Sequence, residues 1–247
     1  MKLILCGSCG KMGKTVAECA ETDEIVCGVD RNPYPLSFPV YRSFDEVTES
    51  ADAVIDFSSP SDLKERLEFC SERNAPIVLA ATGYTEDDEK LIAEYAKSVA
   101  IFKTGNLSLG VNVLQFLVKK AAEALVDFDA EIIERHHNQK KDAPSGTALM
   151  LADSVNEGFG KSKHFIYGRH GNVGARDKHE IAIHAVRGGT VVGEHEVMFA
   201  GTDEVITLTH SAQSRKVFAS GALKAAKWLQ GKPNGLYDMN DLLSTLL

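Results

Sequence analysis

Lys2-Leu3-Ile4-Leu5-Cys6-Gly7-Ser8-Cys9-Gly10-Lys11-Met12-Gly13 opens the chain and decides its fold. An apolar run enters a turn with a glycine at every third position, and a helix pattern follows to residue 20. Strand, glycine turn and helix in that order start a βαβ unit of the dinucleotide-binding kind. The usual fingerprint is G-x-G-x-x-G. Here Gly7, Gly10 and Gly13 give G-x-x-G-x-x-G, and Ser8 stands where the first glycine would fall. The tight turn moves by one residue, yet its physical requirements are met. Glycine permits positive φ and lets backbone approach a pyrophosphate at a helix N-terminus.

Further apolar runs at 25–29, 53–57, 77–80 and 100–103 alternate with helix patterns at 62–73 and 86–98, and Ser61 is the expected N-cap of the first of these. This alternation predicts right-handed βαβ units around a parallel sheet. Asp30 ends the second strand, where a carboxylate can accept the adenosine ribose hydroxyls. Arg31 follows it, and a guanidinium there can meet a 2′-phosphate, so either NADH or NADPH is an acceptable cofactor. Ligands of open α/β sheets lie outside the carboxyl ends of the strands. Cofactor contacts are therefore expected from Gly7, Gly10, Lys11, Met12, Gly13, Asp30 and Arg31. The loops Phe57-Ser58, Ala80-Ala81-Thr82 and Thr104-Gly105-Asn106-Leu107 are expected to add others.

The pattern changes after residue 107. A long apolar helix at 111–125 precedes a strand at 130–133, a helix at 147–155 and strands at 179–187, 191–200 and 204–211. Gly188-Gly189 reads as a hairpin turn between two of these strands. The expected architecture is α/β: a Rossmann-type parallel domain, 1–107 with 216–247, plus an α+β domain, 108–215, with a mostly antiparallel or mixed sheet. The helix at 216–229 is expected to return to the first domain.

Bulk composition narrows the function. The 247 residues are 44% hydrophobic and 25% charged, with a formal net charge of −8. Those values fit a globular protein and argue against nucleic-acid binding. No apolar run approaches the roughly 20 residues that cross a bilayer, so no membrane association and a cytoplasmic location are expected. Five cysteines, all in the first third, do not form a disulfide framework. Cys6 and Cys9 match C-x-x-C; the glycine turn explains that segment better than redox chemistry does, although the spacing leaves their pairing open.

Against this acidic background stands Glu134-Arg135-His136-His137-Asn138-Gln139-Lys140-Lys141-Asp142-Ala143-Pro144-Ser145-Gly146-Thr147-Ala148. Two imidazoles and two ammonium groups sit between a strand and a helix start, which suits an anionic small molecule that must accept a proton. No metal is expected. Adjacent His136 and His137 on an extended chain point opposite ways, and His179 to His184 is one residue too long for H-E-x-x-H. His164, His170, His195 and His210 read as structural or exposed.

This run, with Asn106-Leu107-Ser108-Leu109-Gly110-Val111-Asn112, Val192-Gly193-Glu194-His195, and Arg215 followed by Phe218-Ala219-Ser220-Gly221-Ala222, resembles the 4-hydroxy-tetrahydrodipicolinate reductase family over essentially the whole chain. The resemblance implies a homotetrameric NAD(P)H-dependent reductase of lysine and diaminopimelate synthesis, acting on a small dicarboxylate. It implies that His136 is the general acid, assisted by Lys140, and that His137, Ser145, Gly146 and Thr147 contact the substrate carboxylates. Gln139 stands where some members carry another basic residue, and Ser8 and Cys9 replace small residues of the turn. Rival readings are another two-domain reductase, such as an aspartate or homoserine dehydrogenase-like protein, and a nucleotide sensor without chemistry.

Overall fold

A computed structural model describes residues 1–246. The chain runs β1 (Lys2–Cys6), α1 (Lys11–Cys19), β2 (Glu24–Val29), β3 (Val40–Tyr41), β4 (Ala53–Asp56), α2 (Leu63–Glu72), β5 (Ile77–Leu79), α3 (Glu86–Tyr95) and β6 (Ala100–Lys103). It continues with α4 (Leu109–Ala124), β7 (Asp129–His136), α5 (Gly146–Gly158), β8 (His164–Tyr167), β9 (Glu180–Arg187), β10 (Gly193–Ala200) and β11 (Val205–Ala212). It closes with α6 (Lys216–Leu229), β12 (Gly235–Tyr237) and α7 (Met239–Leu243). Two compact units result, one of Met1–Ser108 with the segment from Arg215, the other of Leu109–Ser214.

The first unit holds a seven-stranded sheet in the order β12-β6-β5-β4-β1-β2-β3, parallel throughout. Its central strands β1, β4, β5 and β6 are buried on both faces, as helix-covered parallel strands must be. Ile4, Val54, Ile77, Leu79 and Ile101 share one core with Leu67 of α2 and Ile92 of α3. Leu5, Ile55, Val78 and Phe102 are cross-strand neighbours in one row. Phe102 meets Trp228 of α6 edge-on, at 6.1 Å between ring centroids. The chain leaves β1 toward β2 on one side and β4 on the other, so the strand order reverses there and opens a crevice at the carboxyl edge.

One local expectation changes, and several short elements join the expected ones. Ser61 does not cap α2: Asp62 holds that place with φ 63° and makes no side-chain cap bond. The carbonyl of Ser61 accepts instead from Arg66, which fixes the loop from within. The two- and three-residue strands β3 and β12, and the helix α7, are too short to show a periodicity. The four-residue β8, half-buried at its centre, is also too short.

The second unit carries a five-stranded sheet, β11-β10-β7-β9-β8. β10 pairs antiparallel with β7 and β11, while β9 pairs parallel with β7 and β8, so the sheet is mixed. Gly188-Gly189 is therefore not a hairpin turn, because β7 lies between β9 and β10. The Gly188 amide donates to the His136 carbonyl at 2.9 Å and the Asn138 amide to the Gly189 carbonyl at 3.2 Å. The glycine pair thus binds the end of β7 and carries the chain past it. Ala130, Ile132, Glu134 and His136 all point to the covered face of β7, packing with Leu114, Val118, Leu151 and Val155 at its apolar end.

Gly221 brings α6 against the end of the first unit's sheet. A Cβ there would lie 1.7 Å from the Leu107 carbonyl oxygen, a backbone atom that cannot step aside. Gly221→Ala is expected to destabilise the protein by more than about 2 kcal/mol, to be read as a lowered midpoint in urea unfolding.

Candidate active site

In the first unit the glycine turn is wedged between two strand ends. The Gly7 amide donates to the Val29 carbonyl at 2.8 Å, and Gly7 has φ +70° with the Phe57 and Ser58 backbone 2.9 Å from where a Cβ would stand. Gly13 packs α1 onto the turn, since a Cβ there would meet the Gly7 oxygen at 2.2 Å. No side chain fits either position. Asp30 is held in place by two amides: Oδ2 accepts from Cys9 and Oδ1 from Asn32, each at 3.0 Å. Arg31 donates to the Ser59 hydroxyl at 3.2 Å.

Gly7, Gly10, Asp30, Arg31, Phe57 and Ser58 line one crevice of about 280 Å³. Lys11, Met12 and Gly13 form the first turn of α1, whose leading amides have no acceptor inside the helix. Ala80, Ala81 and Thr82 follow β5, and Thr104, Gly105, Asn106 and Leu107 follow β6. These two loops share the carboxyl edge of the sheet but do not line the crevice. Leu107 is buried, and Thr104 donates to the Asn106 carbonyl.

Ser59, next to Ser58 in the loop after β4, also lines the crevice, as do Arg42 and Arg66, which the sequence reading missed. Arg66 is buried and pairs through Nε with Oδ2 of the fully buried Asp56 at 3.0 Å. Its other nitrogens donate to the carbonyls of Ser61 at 2.8 Å and Ser59 at 2.7 Å. A cation inside a helix pattern reads as a solvated residue, so nothing in the sequence marked it. All five cysteines are free, and burial pushes the Cys6 thiol well up.

In the second unit His136 is the last residue of β7, not a member of the loop after it. Glu134 lies two residues earlier and so on the same face. His136 Nδ1 is 2.6 Å from Glu134 Oε2. Arg187 donates from Nη1 to Oε2 and from Nη2 to Oε1, both at 2.7 Å, and the Ser145 amide donates to Oε1 at 2.9 Å. Burial alone would push the Glu134 carboxyl up; Arg187, His136 and the Ser145 amide outweigh it and hold it below its usual range. An ionised carboxylate only accepts hydrogen bonds, so Nδ1 of His136 carries a proton. Nε2 is then the nitrogen that exchanges one. Gly193 lies beside it: a Cβ there would sit 3.0 Å from Nε2.

Ser145 caps α5 by accepting from the Ala148 amide at 3.2 Å, and its hydroxyl also meets His195 Nε2 at 2.9 Å. With both contacts internal and Ser145 2% exposed, the groups that face outward at this helix start are Gly146, which is exposed, and Thr147, which is half-buried. His137 is half-buried, and Lys140 Nζ pairs with Asp142 at 2.8 Å. His195 packs edge-on against His136, ring centroids 5.1 Å apart. Burial, and then the proximity of His136, push His195 down to about 4. The alternation of β10 was a signal for this inward histidine. Glu134, also missed, had one as well, since it shares the period-two face of β7 with His136; Arg187, on another strand, had none.

Family profiles described as Dihydrodipicolinate reductase, N-terminus, and Dihydrodipicolinate reductase, C-terminus, match residues 1–107 and 110–243. The chain belongs to the dihydrodipicolinate reductase family. It is 52% identical over 246 residues to the 4-hydroxy-tetrahydrodipicolinate reductase of Caldanaerobacter subterraneus subsp. tengcongensis, covering 98% of each chain. It is 46% identical over 250 residues to that of Clostridium tetani, covering 99% of this chain and 98% of the other. Among solved structures, the dipicolinate-bound dihydrodipicolinate reductase from Paenisporosarcina sp. TG-14 superposes with a TM-score of 0.84 at 25% identity, over 98% of this chain and 99% of that one. An aspartate dehydrogenase from Thermotoga maritima shares the fold alone, with a TM-score of 0.51 and 15% identity over 94% of this chain and 97% of that one.

His195 ties the site of this reductase to acid stability. It is neutral when folded and takes up a proton when unfolded, so the unfolded state binds more protons between pH 6.5 and about 4. Its stabilising effect is complete above pH 6.5 and is lost as pH falls toward 4. Thermal melts of the wild type and His195→Asn over this range are expected to converge at the acid end by on the order of 3 kcal/mol.

Proposed function

We propose that this reductase converts 4-hydroxy-tetrahydrodipicolinate to tetrahydrodipicolinate, with loss of water and oxidation of NADH or NADPH, in lysine and diaminopimelate synthesis. The observation that carries the reading is the end of β7, where one donor-competent imidazole nitrogen, an ammonium and a helix start gather within a dozen residues. Whole-chain identity to reductases of that name supports it.

Each unit then has a task. The crevice at the β1/β4 reversal fits a dinucleotide: Gly7 leaves no side chain over the turn, the first amides of α1 suit a pyrophosphate, and Asp30 suits a ribose. The nicotinamide, when bound, supplies the hydride. The unit of Leu109–Ser214 binds the diacid. The amides of Gly146 and Thr147 at the positive end of α5 receive one carboxylate, with His137 beside them. Lys140 balances charge that builds on the enamine, and Nε2 of His136 delivers the proton that the enamine requires. Ser145 acts by shaping the turn. A homotetramer built on the second unit agrees with its long edge strand β11, where Val205 and Ile206 are exposed.

Two measurements test this. His136→Ala is expected to lower kcat by roughly 10² to 10⁴ while nucleotide affinity, from fluorescence titration, stays within about threefold. Arg31→Ala is expected to raise the KM for NADPH more than that for NADH, because only NADPH brings a 2′-phosphate; equal losses would remove Arg31 from that role.

A further inference from the structure

Among the side chains that surround His136, two carry full charges and reach it through one another. Glu134 is completely buried, and each of its oxygens takes two of the four donors around it. Arg187 supplies two of these and also donates to the Asp142 carbonyl at 2.6 Å. Glu134 comes from β7 and Arg187 from β9, while Ser145 and Asp142 flank the turn into α5. We propose that Glu134 and Arg187 are the positioning residues of this site: their mutually neutralised pair fixes the ring and tautomer of His136 and sets the pH range over which Nε2 delivers a proton. This rests on the reading of His136 as the proton donor.

The other groups facing His136 do not supply that control. His195 on β10, with His210 of β11 beyond it, is neutral at working pH. Lys140 and Asp142 compensate each other in the segment after β7. What remains is a carboxylate bonded to the imidazole and the guanidinium bonded to that carboxylate. Because the two charges cancel, removal of either leaves the other acting on the ring, and the two removals act in opposite directions. Glutamine at 134 would also leave four donors with one acceptor oxygen, since its amide nitrogen donates.

The test is the pH dependence of kcat, with saturating nucleotide and diacid, for wild type, Glu134→Gln, Glu134→Asp and Arg187→Gln. The rate of an enzyme that needs a protonated donor falls as pH rises, and this alkaline limb reports the donor. In Glu134→Gln the uncompensated guanidinium opposes protonation, so the limb is expected to move to lower pH by about one unit or more. In Arg187→Gln the uncompensated carboxylate favours protonation, and the limb is expected to move to higher pH. Glu134→Asp keeps the charge at a longer reach, so its limb returns toward wild type while kcat stays reduced. All three are expected to lower kcat at least tenfold with the KM for nucleotide little changed.

Limbs that stay in place, or that move the same way in Glu134→Gln and Arg187→Gln, would overturn the proposal and leave the pair a purely structural tie. If one variant does not fold, as judged by circular dichroism, the direction of the other decides. A His136→Ala enzyme with undiminished turnover would instead overturn the assignment of the donor itself. An inactive His136→Ala with unmoved limbs in the pair variants rejects this inference alone.

Discussion

A carboxylate without solvent access is the constraint around which the second unit is arranged. Taking a charge fully out of water costs several kcal/mol even after relaxation, and the cost is met only if every lone pair finds a donor. Glu134 meets this demand with partners from three places: a neighbouring strand, the residue two positions along its own strand, and a backbone amide at the start of α5. The satisfaction of one buried group therefore fixes the register of β7 against β9, the approach of α5 and the direction of an imidazole. Strong local geometry of this kind suits the proposed role of His136, because misplacement by an ångström is costly in rate.

The first unit applies a similar solution to a different end. Asp56 is as inaccessible as Glu134, and its cation, Arg66, reaches from α2 to hold the carbonyls of Ser59 and Ser61. The loop after β4 is thereby tied from inside. The guanidinium of Arg66 is committed to that task, which leaves Arg31 and Arg42 as the crevice cations nearer the surface. In both units a buried ion pair serves a loop at the carboxyl end of a strand rather than the core beneath it.

Much of this architecture was legible in the amino-acid order. Period-two and period-3.6 patterns located the long strands and helices. The spacing of Gly7, Gly10 and Gly13, followed by Asp30, marked a turn and strand end that border the crevice. The cluster from His136 to Thr147 marked the candidate site at the end of β7. What escaped was of three kinds. Strand pairing in the second sheet depends on β7 inserting between β9 and β10, and no local turn signal reports an insertion; Gly188-Gly189 suits a hairpin equally well. Partners of a buried charge come from distant sequence. Arg187 is 53 residues from Glu134, and its role is visible only once both strands are paired. Short elements such as β3 and β12 exist because neighbouring strands present free edges, not because their own residues demand it.

The order of synthesis gives the interrupted first unit a particular history. When residue 108 has left the ribosome, the parallel sheet has all its strands except β12, but one of its faces is covered by α1 alone. The row Leu5, Ile55, Val78 and Phe102 belongs to the face that α6 later occupies. Roughly one hundred further residues, a whole unit in themselves, must emerge first. At typical elongation rates of about 5–20 residues per second, the part of that face reserved for α6 stays open for on the order of 5 to 20 seconds. Until α6 is made, the nascent chain carries exposed apolar surface of the kind that invites aggregation.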